Sequence, residues 1–130
     1  GYRHRLQLLF PRRALADDLR RGFEAVAEAT GQAPSVYRPP YGIFSPAGLA
    51  YVRTRGWRPL LWSRWGRDWA ARATPESIAA KVTEDLGAGD VLLLHDADWY
   101  SVEGSHRNTV AALPRVLDAI EARGLTPAGV

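Results

Sequence analysis

Three short polar groups carry the residue types that hydrolytic chemistry needs. They are Arg38-Pro39-Pro40-Tyr41-Gly42, Arg64-Trp65-Gly66-Arg67-Asp68-Trp69, and His95-Asp96. An imidazole titrates near neutral pH, so His95 suits a general acid or base, or a metal ligand with Asp96 or Asp98 beside it. The competing reading is a histidine hydrogen-bonded at a strand end. The Asp68 carboxylate can orient His95, pair with Arg64 or Arg67, or form a surface salt bridge. Two prolines stiffen the first group and Gly42 admits a positive φ. Such a turn can aim backbone N–H groups at a developing negative charge. It can equally be a stiff connector.

The other candidates are less specific. His4 is a single imidazole at the chain start, whereas a zinc site uses three or four ligands. His106 sits in the polar run Glu103-Gly104-Ser105-His106-Arg107 and reads as solvent-exposed. Trp62, Trp65, Trp69, Trp99 and Tyr100 suit the apolar faces of sugar rings, and suit a hydrophobic core equally well.

These residues must be positioned by alternating helices and strands. Leu15, Leu19, Phe23 and Val26 recur at helical spacing, which predicts a helix over about 12–30 stopped by Gly31. Ser35-Val36-Tyr37-Arg38 predicts a short strand, cut off by Pro39-Pro40. Ser45-Pro46 and Thr74-Pro75 each pair a hydroxyl cap with proline at the first helical position. The first of these helices should reach Arg55, and the second should carry Ile78, Val82 and Leu86 to Gly87. Arg58 to Trp62 and Asp90 to Leu94 read as strands. A last helix carries Val110, Leu113, Leu117 and Ile120 along one face, with Pro114 tolerable near its first turn or as a kink. Leu125 begins a final strand candidate.

Strands that alternate with helices imply parallel pairing, and in such folds functional loops follow the C-terminal strand ends. All three polar groups follow strands. Alternation along the 90–94 strand puts Val91, Leu93 and His95 on one face.

Composition narrows the function classes. A chain of 130 residues, 46% hydrophobic, supports a packed core and points to one domain. The absence of cysteine excludes disulfides, thiolate zinc sites and cysteine nucleophiles. No apolar run approaches the roughly 18–20 residues of a membrane span. Six arginines fall within the first 21 residues, and the formal net charge is +3. That bias suits either a solvated helix face or a nucleic-acid patch.

The ordered series Arg38-Pro39-Pro40-Tyr41-Gly42, Asp68-Trp69 and Leu93-Leu94-His95-Asp96 resembles the third, fourth and fifth motifs of the polysaccharide deacetylase family, carbohydrate esterase family four. That family is similar across chitin, chitooligosaccharide and peptidoglycan deacetylases. The resemblance implies an α/β fold, an incomplete and distorted β/α barrel with parallel strands. It implies removal of acetyl groups from N-acetylglucosamine-type glycans by water activated on a divalent metal, zinc above all. By the same resemblance, His4 matches the second histidine of a metal-binding motif. Arg38 matches the residue that steadies the catalytic base, and Tyr41 supplies an oxyanion-hole N–H and contacts substrate. Asp68 tunes the acid histidine, Trp69 walls the groove, Leu93 receives the acetyl methyl, and His95 is the general acid.

The family's Asp-Asp motif and first metal histidine should precede His4, and Asp17-Asp18, the only such pair, follows it within a helix. The expectation is therefore a single deacetylase-like domain over 1–130 whose N-terminal strands are missing. Such a chain would bind metal weakly or not at all and would be inactive alone, and the resemblance admits an extracytoplasmic parent. A non-catalytic carbohydrate-binding module is the first alternative, and a basic nucleic-acid binder the second. The expected partner is an acetylated glycan, with no nucleic acid. Titration with RNA and DNA at low salt should show no binding; tight, salt-sensitive binding would favour the second alternative.

Overall fold

Proline and glycine set most element boundaries. The computed structural model describes residues 1–129, and the chain packs as two compact units, Gly1–Leu61 and Trp62 onward.

In the first unit, helix α1 (Arg12–Thr30) ends where Gly31 adopts φ 69°, as the spacing predicts. Leu15 and Leu19 are buried, but Val26, expected on the same face, is 48% exposed. Strand β1 (Val36–Tyr37) pairs in parallel with β2 (Arg58–Pro59), with Val36 opposite Arg58. Between them, helix α2 (Pro46–Thr54) starts at Ser45, whose hydroxyl accepts the Gly48 N–H at 3.0 Å. Two devices hold the unit. Trp57 stacks on Phe23 at 4.9 Å and meets Tyr37 and Tyr51. Gln7 is buried; its Oε1 accepts the Ser45 N–H at 3.0 Å and its Nε2 donates to the Tyr37 hydroxyl at 3.0 Å.

In the second unit, β3 (Arg64–Trp65) pairs in parallel with β4 (Leu92–Leu93), with Arg64 opposite Leu92 and Trp65 opposite Leu93. Helices α3 (Pro75–Val82) and α4 (Ser105–Glu121) pack together around Ile78, Ala79, Val82, Ala112 and Val116. Each large aliphatic side chain buried there contributes roughly 1.5–3 kcal/mol.

Several expectations need correction. The strand expected over 58–62 stops at Pro59, which has no N–H for a ladder. Pairing resumes at Arg64-Trp65, a strand the apolar pattern hides because charge holds it. Asp90 accepts from the Ser63 hydroxyl at 2.6 Å, Arg64 Nε at 3.2 Å and the Gly87 N–H at 2.9 Å. Helix α3 ends before Leu86. The Thr83 hydroxyl bonds back to the Ala79 carbonyl at 2.8 Å, and Asp85 then turns the chain at φ 47°.

Helix α4 presents a different face from the one expected. Val110, Leu113 and Leu117 are 59%, 40% and 52% exposed, while Thr109, Ala112 and Val116 are buried. Small side chains let α4 approach α3 closely, and the longer leucines face outward. Pro114 lies well inside the helix rather than in its first turn, on the exposed side where water can reach the carbonyl it leaves unpaired. Leu125 starts no strand among the described residues; its N–H returns to the Ile120 carbonyl at 3.1 Å.

The Asp90 clamp makes the β3–β4 pair acid-sensitive. The Ser63 hydroxyl first, then the Gly87 N–H and Arg64, hold the Asp90 carboxyl below its ordinary value. A depressed folded-state value gives stability that is present above the unfolded value and lost as pH falls through the folded one. Urea midpoints measured from pH 6 down to about pH 2 should therefore fall less steeply in Asp90→Asn than in the parent. Parallel curves would show that the clamp carries no such linkage.

Candidate active site

The loop after β3 delivers Asp68 into the second unit. Gly66 opens it by close packing: a Cβ there would lie 2.8 Å from both Ile78 Cγ2 and Leu94 Cδ2. Arg67 then takes φ 51°, and the next side chain, Asp68, is 1% exposed. A carboxylate this deep needs full hydrogen bonding. Asp68 Oδ1 lies 2.9 Å from His95 Nδ1. Its Oδ2 accepts from the His95 backbone N–H at 2.6 Å and from the Thr109 hydroxyl at 2.9 Å.

The pair fixes the histidine's chemistry. A carboxylate only accepts, so Nδ1 carries the shared proton and Nε2 is left for exchange with a substrate. The His95 side chain remains 41% exposed, on the other side of a bond whose carboxylate is fully buried. Trp69 meets the His95 ring edge-on at 5.5 Å, and Trp65 and Trp62 continue the aromatic row. Leu93, two residues before His95 on β4, is buried. Of the readings open for Asp68, orientation of His95 is the one found; Arg64 instead pairs with Asp90, and Arg67 lies over the Trp65 ring.

Beyond His95, the chain loops outward. Asp98 accepts the Gly104 N–H at 2.6 Å, and this bond is the main cause that holds its carboxyl below the ordinary value. His106 is not simply solvent-exposed as expected: its Nδ1 is buried, 3.2 Å from Asp98 Oδ2. Between these anchors Trp99 and Tyr100 are 86% and 67% exposed, so they form no part of a core.

The first unit holds the remaining candidates. Arg38 is exposed just after β1. Tyr41 adopts φ 58°, ψ 11°, unusual for a residue with a Cβ, and Gly42 follows at φ 71°. The Tyr41 ring meets His4 edge-on at 5.2 Å, and both line a cleft of about 740 Å³ with Arg3, Arg5, Phe10 and Ile43. Asp18 is buried and accepts from the Arg3 N–H at 2.9 Å and Arg3 Nε at 3.3 Å, while Asp17 pairs with Arg20. Among the described residues no three His, Cys, Asp or Glu side chains converge to hold a metal ion. The described residues alone therefore do not assemble a metal centre.

Sequence reasoning missed Thr109. The available signal was the spacing of Thr109, Ala112 and Val116, a second stripe on α4 hidden by the stronger Val110-Leu113-Leu117 stripe.

No family model matches the chain. A chitooligosaccharide deacetylase of Azorhizobium caulinodans is 36% identical over 94 residues, which is 68% of this chain and 44% of that protein. A peptidoglycan-N-acetylglucosamine deacetylase of Bacillus cereus is 36% identical over 95 residues, 70% of this chain and 41% of that protein. The solved family 4 carbohydrate esterase of Streptomyces lividans superposes with a TM-score of 0.85 at 27% identity, covering 100% of this chain and 62% of that one. The chain belongs to carbohydrate esterase family 4. It spans less than half the length of the two curated family 4 relatives, and their activities are theirs. The fold it shares with the Streptomyces lividans esterase is, in this chain, α/β with short parallel strands. No helix among the described residues is long and apolar enough to cross a membrane.

The Asp68 anchor predicts a sharp response when one carboxylate oxygen is replaced by NH2. Asp68→Asn keeps the shape, but its NH2 group either faces the two donors on Oδ2 or forces His95 into the tautomer with Nδ1 unprotonated, and in both cases the charge is lost from three hydrogen bonds. The mismatch should cost about 1–3 kcal/mol in urea unfolding followed by circular dichroism. A variant within about 0.5 kcal/mol of the parent, the range of a surface substitution, would refute the anchoring role.

Proposed function

We propose that this chain takes part in hydrolytic removal of N-acetyl groups from N-acetylglucosamine-type glycans, with His95 as the general acid. The observation that carries this reading is the Asp68–His95 pair, a half-exposed imidazole hydrogen-bonded through Nδ1 to a fully buried carboxylate. Water gives a proton to the catalytic base, a role assigned to no described residue, and adds to the amide carbonyl. The imidazolium form of His95, its Nδ1–H held by Asp68, then gives the Nε2 proton to the amine nitrogen as the C–N bond breaks and acetate leaves. Asp68 holds the ring in register for that transfer. The names of the deacetylase relatives support the amide and the glycan.

The other roles come from the family resemblance. Tyr41 supplies a backbone N–H to the developing oxyanion, a role its left-handed conformation supports. Leu93 receives the acetyl methyl, Trp69 packs on the sugar, and Arg38 steadies the base. His4 is the one metal ligand assigned to this chain. A divalent ion, zinc by the resemblance, would supply the activated water, and it needs more ligands than the described residues bring together. The short parallel strands are read as part of an incomplete β/α barrel.

The test is acetate release from an N-acetylglucosamine oligomer by the longest natural protein containing this sequence. His95→Ala should lower kcat by about 10²- to 10⁴-fold, the span of general acid catalysis, with glycan binding retained. Unchanged acetate release would refute the acid assignment. Glycan binding without any acetate release by the parent would identify a carbohydrate-binding module instead.

A further inference from the structure

We infer that Thr109 is a positioning residue for the Asp68–His95 pair, so that helix α4 sets the geometry of the proposed acid as well as covering the core. This rests on the reading of His95 as the acid and extends it. A threonine inside a helix commonly returns its hydroxyl proton to a carbonyl one turn back. The Thr109 hydroxyl instead donates across 41 positions of chain to Asp68 Oδ2 at 2.9 Å, and the residue is 4% exposed. Its neighbour Asn108 donates to the Ala73 carbonyl at 3.0 Å. Two successive α4 residues therefore hold the 66–74 loop at two points.

The hydrogen-bond inventory shows what the hydroxyl adds. Oδ1 serves the imidazole, and Oδ2 serves the His95 backbone N–H and Thr109. The backbone bond alone is a hinge about which the carboxylate plane can turn. A second donor on Oδ2, fixed to a helix, sets that plane and so aims Oδ1 at Nδ1. Trp69 bounds the ring from another side, and Asp96 is the next charged residue along the chain, exposed to solvent.

The test reads the bond itself. In proton NMR of the chain, the Nδ1–H resonance of His95 is assigned by its loss in His95→Ala. Thr109→Val removes the hydroxyl and keeps the shape; it should speed exchange of that proton with water by about tenfold or more, the scale of a hydrogen bond to a charged group. Thr109→Ser should stay within about twofold of the parent. Should the valine variant fail to fold, Thr109→Ala against Thr109→Ser makes the same comparison. Exchange unchanged without the hydroxyl, or raised equally in the serine variant, overturns the inference. In acetate-release assays the valine variant should lower kcat with KM unchanged. An inactive parent would sink the deacetylase reading while the exchange result still decides the role of Thr109.

Discussion

One buried carboxylate organises the second unit. Asp68 has no exposed side-chain surface, and a charge in that position must be met by donors from every side. The three donors come from the backbone of His95, the ring of His95 and the hydroxyl of Thr109. Each lies on a different structural problem: the exit of β4, the rotamer of an imidazole, and the face α4 turns inward. A single electrostatic requirement thus fixes three pieces of geometry together, and the close packing at Gly66 brings the chain to the depth at which that requirement arises.

The first unit buries a charge as well, Asp18 against Arg3, and beside it a neutral amide. Gln7 presents an acceptor to Ser45 and a donor to Tyr37, so one amide ties the chain start to β1 and to the cap of α2. The buried hydrophobic residues of the unit are Leu15, Leu19 and Val52, and a half-buried aromatic cluster joins Trp57 to Phe23, Tyr37 and Tyr51. Tyr41 departs from local preference in this well-anchored setting, and its left-handed backbone is a strained conformation that such anchoring can hold.

Much of this was legible in the sequence, for physical reasons that differ by element. Gly31, Ser45-Pro46 and Thr74-Pro75 mark boundaries through backbone chemistry that acts locally, so the starts of α2 and α3 and the end of α1 lie where expected. The association of Asp68 with His95 was one of several open readings, and the geometry selects it. Elements held by distant partners were not legible. Strand β3 depends on Asp90, 26 positions from Arg64, and nothing in its own residues reads as a strand. The inward face of α4 was not legible because its most hydrophobic stripe, Val110, Leu113 and Leu117, is the exposed one. Helix approach favoured Ala112 and Val116, and the polar residue in line with them had a partner 41 positions away.

The Asp98–Gly104 hydrogen bond has a consequence for how this site can diversify. It closes the segment that carries Trp99 and Tyr100 into a loop with both ends tied, between the end of β4 and the start of α4. Within it, Trp99 and Tyr100 stand outside the contacts that Ser101 and Val102 make with Ser105 at the start of α4. The two most exposed aromatic residues of the second unit thus lie inside the tied loop, and the Asp68–His95 pair lies outside it. Substitution at Trp99 or Tyr100 changes the surface there and leaves the hydrogen bonds of Asp68 with their donors.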